Sequence, residues 1–235
     1  AAEQVDKTIR LDPRHEPSYY TLVGLYLRLG DTAKAHEVLD RARLRFEHGF
    51  ALEFYTGIAH VEEKEYAMAI AHFQAAEKLG RETDLNAFFY FQLGTACERD
   101  KQYDLCETYL RKAIALQSDF PEALNYLAYT FAEIGRNLDE AEEMVKQALG
   151  AEPDSAAYLD TLAWIYFKQE RFEMALVEML KAVEISEEPD PVMFDHLGDI
   201  YSALGRTREA IESWKRSIDI EPNEKIEAKL NTQES

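Results

Sequence analysis

The sequence predicts an all-α fold, an α-solenoid built from antiparallel helix pairs. Three observations carry that prediction. Apolar residues recur at i, i+3, i+4 and i+7 through nearly the whole chain. A helix–turn–helix unit returns about every 34 residues. No stretch reads as a strand.

Pro191 to Pro222 is the clearest unit. Phe194, Leu197, Gly198 and Tyr201 share one face of a first helix, which Gly205 then stops. Ala210, Ile211, Trp214, Ser217 and Ile218 repeat the pattern on a second helix, and Pro222 ends it because proline cannot donate to the ladder. Gly198 and Ala210 are small, which predicts close backbone approach there, with Tyr201 and Trp214 filling the wider gaps. A single pair cannot bury its apolar face, so it needs neighbours.

The rest of the chain supplies them. Residues 1–13 read as a second helix without its first: Ala1, Val5, Thr8 and Pro13 match Ala210, Trp214, Ser217 and Pro222 in spacing. That predicts an apolar face left open and further repeat sequence upstream. Full units follow at 16–49, 50–83, 87–119, 121–154, 156–189 and 191–223, and residues 224–235 form a capping helix and tail. An insertion at residues 80–83 lengthens one joint, with Asp84 as the expected N-cap of the next helix. One extra residue in the run GRNLDEA stretches the turn inside the fourth unit. Asn223 is placed to cap the last helix, which carries Ile226 and Leu230 on one side and suits a lid over the sixth unit.

The pattern W/Y-x-x-L-G-x-x-Y in helix A and A-x-x-x-F-x-x-A in helix B, at this period, resembles the tetratricopeptide repeat family. The resemblance covers roughly nine-tenths of the chain. It implies a right-handed superhelix whose A helices line a concave groove. Carried over by position, one groove column is Tyr20, Phe54, Phe91, Asn125, Asp160 and Asp195. A second is Gly24, Ile58, Thr95, Tyr129, Trp164 and Asp199. A third is Leu27, Val61, Glu98, Ala132, Phe167 and Ser202. The columns run from aromatic and aliphatic to acidic, which fits a protein or peptide with apolar anchors and a basic group toward one end. Each aromatic has a rival reading as packing between repeats, and the three aspartates have one as a solvated face. Members of the family that clamp a C-terminal carboxylate use lysines at the early positions. Tyr20, Phe54, Asn125 and Asp160 stand in the first column here, which argues against such a clamp.

Composition narrows the function classes. The 235 residues carry 45 acidic and 26 basic side chains, a formal net charge of −19. Such a surface repels phosphate backbones and argues against nucleic acid as a partner. No run of about 18 apolar residues could span a membrane. The local basic run Arg41, Arg43 and Arg45 reads as helix C-terminal charge favoured by the dipole. Two cysteines, Cys97 and Cys106, make neither a disulfide framework nor a zinc site by number. They sit at mirrored positions about a turn, so small-residue packing and a disulfide are alternatives. The six histidines are scattered. His60 takes a Tyr slot and His72 precedes the core Phe73. No HExxH, paired Cys-x-x-Cys, EF-hand or P-loop pattern is present, so neither metal nor cofactor is expected from spacing.

The leading expectation is therefore a non-enzymatic scaffold or adaptor. The run from Ala123 to Val183 is also similar to bacterial multi-repeat proteins. Many of those are exported, and some assist a periplasmic protease or envelope and pilus assembly, although no lipobox cysteine stands in this chain. A third reading is an accessory domain of a larger enzyme such as a glycosyltransferase. Compartment and oligomeric state are not written in the repeats.

Overall fold

The structure is a computed structural model that describes residues 1–188 and 190–233. Among those residues there are fourteen α-helices and no strands. They fall into two compact units, Ala1–Ser118 and Asp119–Ser235. The fold is an all-α helical-repeat solenoid.

The first unit holds α1 (Ala2–Leu11), α2 (Glu16–Arg28), α3 (Thr32–Arg43), α4 (Phe50–Glu62), α5 (Tyr66–Leu79), α6 (Ala87–Arg99) and α7 (Tyr103–Leu116). The second holds α8 (Pro121–Ile134), α9 (Leu138–Ala151), α10 (Ala156–Lys168), α11 (Phe172–Ile185), α12 (Pro191–Ala203), α13 (Thr207–Ile220) and α14 (Glu224–Gln233). From α2 onward each even-numbered helix up to α12 is a helix A and pairs with the helix that follows it.

What lets the helices of a pair close is a size match at one position. Helix A presents Gly57, Gly94 and Gly198 where helix B presents Phe73, Leu110 and Trp214. A Cβ on Gly57 would lie 2.7 Å from Phe73 Cε1, and one on Gly94 would lie 2.8 Å from Leu110 Cδ2. A Cβ on Gly198 would run into the indole of Trp214. Each glycine thus clears space for a large side chain, and Gly198 does so for Trp214 rather than for the small Ala210 named above. Phe73 and Leu110 are fully buried, and Trp214 is nearly so. Such packing at crystalline density tolerates little change of volume.

The turn between helices A and B is equally regular. Asp31, Glu65, Gln102, Arg136, Arg171 and Arg206 each donate a backbone N–H to the carbonyl five residues earlier, on Tyr26, His60, Cys97, Phe131, Tyr166 and Tyr201. This is the Schellman closure, which needs a left-handed residue just past the helix. Gly30, Gly135 and Gly205 supply it in three turns, and Lys64, Lys101 and Glu170 supply it in the others, each at φ 61°. The Gly205 stop was legible in the sequence; the left-handed residues Lys64, Lys101 and Glu170 were not. Asn137, at φ 49°, takes up the extra residue of the GRN turn.

Caps fall partly where expected. Asn223 Oδ1 accepts from the Lys225 N–H at 3.0 Å. Asp84 does not cap α6: its carboxylate accepts from the Arg81 N–H and side chain, and Asn86 Oδ1 accepts from the Phe89 N–H instead. Asn86 stands at the residue before the helix, as a cap must. At the start of the chain, Ile9 is buried and Ala2 and Val5 pack beside it on the core formed by α2, α3 and α4. On α14, Ile226 packs with Ala210 and Trp214, with Leu230 alongside.

Cys97 and Cys106 are both buried thiols and form no disulfide. Burial, with the charge of Asp100 adding to it, pushes the Cys97 thiol up to about 12, so it is an inert packing group. No described helix is long and apolar enough to cross a membrane.

The left-handed conformation costs a non-glycine residue about 1–2 kcal/mol, partly offset by glycine's larger loss of chain entropy. Lys64→Gly, Lys101→Gly and Glu170→Gly are each expected to stabilise the protein by about 0.5–1 kcal/mol, read as a raised urea midpoint at unchanged slope.

Candidate functional site

In the first unit, the positions assigned to the groove are mostly packed. Tyr20 and Leu27 are buried. The Tyr20 ring stacks on Tyr55 with centroids 5.1 Å apart, and its hydroxyl donates to Glu16 at 2.9 Å. Burial and the Glu16 carboxylate push its phenol well above the usual range. Phe54 is half-buried and surrounded by rings, with centroids of Phe50, Tyr55, Phe73, Phe88 and Phe89 between 5.3 and 6.4 Å away. Ile58 and Phe91 are half-buried. From this aromatic cluster Phe88, on α6, emerges furthest at 53% exposure. It lies outside the columns named from the sequence.

A cavity of about 820 Å³ lies where α1 meets α2 and α3, and four arginines line it: Arg10, Arg14, Arg41 and Arg45. Arg41 and Arg10 both pair with Asp6, and Arg43 pairs with Asp40. The basic character therefore comes from two helices brought together, not from one helix end.

The second unit presents a different face. Asn125, on α8, is half-buried, and its Oδ1 is a shielded acceptor with no hydrogen-bond partner. Tyr129 and Phe167 are half-buried. Trp164 is buried; its ring stacks on Phe167 at 4.7 Å and on His196 at 4.0 Å. Its Nε1–H donates to Glu133 at 2.6 Å, and the Lys168 ammonium stands 4.7 Å over the ring.

The three aspartates do not form a solvated face. Asp160, 8% exposed, is bonded to His196 Nδ1 at 2.8 Å. Burial works to depress the His196 imidazole, but the Asp160 carboxylate outweighs it and holds its pKa above the ordinary value. Asp195 and Asp199 each take a bond from Lys229 Nζ at 2.7 Å, and Trp214 Nε1–H donates to Asp199 at 3.1 Å. Burial raises the Asp199 carboxyl against the pull of that ammonium. The acidic end expected to receive a partner's basic group thus holds a lysine of the chain's own last helix.

Sequence reasoning missed His196, Glu133 and Lys229, because each sits about one repeat from its partner and off the matching column. It also missed a histidine cluster. His36 on α3, with His60 and Glu63 near the end of α4, bring donor atoms within 4.8 Å of one another. Only the His60-x-x-Glu63 spacing was visible beforehand.

Tetratricopeptide repeat models match residues 20–83, 89–120, 155–188 and 193–224. The chain belongs to the tetratricopeptide repeat family. Among solved structures, this repeat protein is similar to a chain of the APC/C hetero-tetramer Cut9–Hcn1, at TM-score 0.82 and 18% identity, covering 97% of this chain and 44% of that one. It is similar to PilW, a type IV pilus biogenesis factor, at TM-score 0.77 and 18% identity, covering 94% and 99% of the two chains. YrrB, a TPR protein with an unusual peptide-binding site, matches at TM-score 0.64 and 24% identity over 88% of this chain and 100% of its own. These likenesses show the fold. By sequence, 140 residues are 29% identical to the Homo sapiens protein O-mannosyl-transferase TMTC3, covering 59% of this chain and 15% of that protein. The tetratricopeptide fold is a protein-interaction scaffold.

The raised His196 pKa has a stability consequence with a definite sign. A histidine whose folded pKa exceeds its unfolded value of about 6.5 contributes fully below that pH and loses the contribution as pH rises through the folded pKa. Unfolding free energy is expected to fall as pH rises above about 6.5, and His196→Gln is expected to remove that part of the slope in urea titrations across pH.

Proposed function

We propose that this tetratricopeptide repeat protein is a non-catalytic scaffold that binds an extended peptide segment on the helix-A face of its second unit, through Asn125, Tyr129 and Phe167. The observation that carries this reading is the half-buried carboxamide of Asn125, whose shielded Oδ1 has no partner and would reach a ligand on rotation of the amide. A buried polar atom without a partner costs about 1–3 kcal/mol, and such atoms are rare enough in native proteins to need a reason. A carboxamide can both donate to and accept from a peptide backbone, so it suits a ligand read through its main chain. Tyr129 on α8 and Phe167 on α10 stand half-buried in neighbouring columns of the helix-A face and can supply the apolar anchoring that concentrates binding energy.

Asp160 and Trp164 support that face from beneath, held by His196 and Glu133. Asp195 and Asp199 belong to it only where Lys229 gives way. In the first unit, Ile58 and Phe91 offer a second apolar surface, while Tyr20, Leu27 and Phe54 serve chiefly as its packing. A protein partner is favoured over nucleic acid by the net charge of −19.

Peptides selected from a displayed random library on the immobilised protein provide the test. For the best binder, Asn125→Ala and Phe167→Ala are each expected to weaken binding about 10-fold or more in calorimetry. Unchanged affinity in both variants, with unfolding midpoints intact, would overturn the assignment.

A second reading is favoured by the TMTC3 match: the chain is the repeat region of a larger glycosyltransferase, presenting its acceptor proteins. A transferase domain encoded in the same reading frame is the outcome that reading requires.

A further inference from the structure

Three side chains from two successive repeats converge in the first unit. His60 lies in the last turn of α4 and Glu63 is its C-cap residue, still in right-handed helical backbone, so the two side chains fall on one side. His36 reaches them from α3. His36 Nε2 lies 3.1 Å from Glu63 Oε2, and His60 Nδ1 lies 3.5 Å from the same oxygen. A tetrahedral centre with bonds of about 2.0–2.1 Å sets its donors roughly 3.3 Å apart. The two measured edges already match that figure, and the third is within 4.8 Å. Glu65 Oε2 lies 2.9 Å from His60 Nδ1 but outside the group of three mutually close donors, so it reaches a fourth position only by swinging inward.

The surroundings orient these groups. The His60 ring stacks on His72 at 5.2 Å and 11°, and His72 Nδ1 is itself bonded to Glu53 at 2.7 Å. Side-chain exposures of 34% for His36, 14% for His60 and 27% for Glu63 leave an entry path.

We propose that His36, His60 and Glu63 form a transition-metal site of the Zn²⁺ class, with Glu65 or water as fourth ligand, that ties α3 to α4. Two imidazoles and a carboxylate suit Zn²⁺, Co²⁺ or Ni²⁺, whereas Mg²⁺ and Ca²⁺ require sets made of oxygen. The ligands come from a helix B and the following helix A, so the ion fixes one repeat against the next. It stabilises the folded chain by mass action, since the unfolded chain does not hold the three groups together.

The test uses the full chain, stripped with a chelator and then titrated with CoCl₂ and ZnCl₂. One ion per chain, the strong visible bands of tetrahedral Co²⁺ and a higher melting temperature with Zn²⁺ are expected. His36→Gln and Glu63→Gln should each weaken binding about 10-fold or more. His48→Gln, which removes a histidine bonded to the neighbouring Glu53, should bind as the parent does. Absence of saturable binding, absence of the tetrahedral Co²⁺ bands in the parent chain, or equal affinity in the His36 and Glu63 variants would overturn the proposal. Far-UV circular dichroism of each variant separates loss of ligand from loss of fold. The Co²⁺ spectrum of the parent decides the matter even where a variant unfolds.

Discussion

The close approach of the two helices within each pair is the constraint on which the structure depends. Phe73, Leu110 and Trp214 can sit at the centre of their pairs because Gly57, Gly94 and Gly198 give up a side chain opposite them. Where helix A keeps a methyl, at Ala128 and Ala163, helix B offers the slimmer Val145 and Met179, both fully buried. Volume is thus traded within these five pairs; in the first pair Val23 and Leu39 hold the corresponding positions, both buried, and no glycine is given up. The Schellman turns complete the device. They reverse the chain within a few residues, so the two helices meet at the same register in every unit.

That regularity explains what could be read from the sequence. Helix type, pairing and the burial of Leu22, Leu93 and Leu127 follow from apolar periodicity, a local property. The turns were legible where glycine marked them and illegible at Lys64, Lys101 and Glu170, since backbone conformation there is imposed by the flanking helices and not by the residue. Asp84 illustrates the same limit. Cap preference pointed to it, yet Arg81 lay close enough to claim its carboxylate first.

The functional face was less legible for a physical reason. Column positions tell which residues share a helix side, but not which of them a neighbouring helix has already engaged. Asp160, Asp195 and Asp199 look like open acidity in one dimension. In space, His196 and Lys229 answer them, as a charge removed from water must be answered. The converse holds for His36 and His60, which look unrelated in sequence and meet through the stacking of successive repeats. Asn125 is the instructive exception, a position named from the repeat pattern whose acceptor no neighbour has taken.

Lys229 gives the last helix a second character. Its ammonium bridges Asp195 and Asp199 while Ile226 of the same helix is anchored beside Trp214. A tethered group of this kind sits at an effective concentration on the order of millimolar or more. Any foreign lysine or arginine seeking that corner competes with a resident that never diffuses away. The acidity of that corner is thus answered from within the chain, by an ammonium whose helix is itself held by apolar packing.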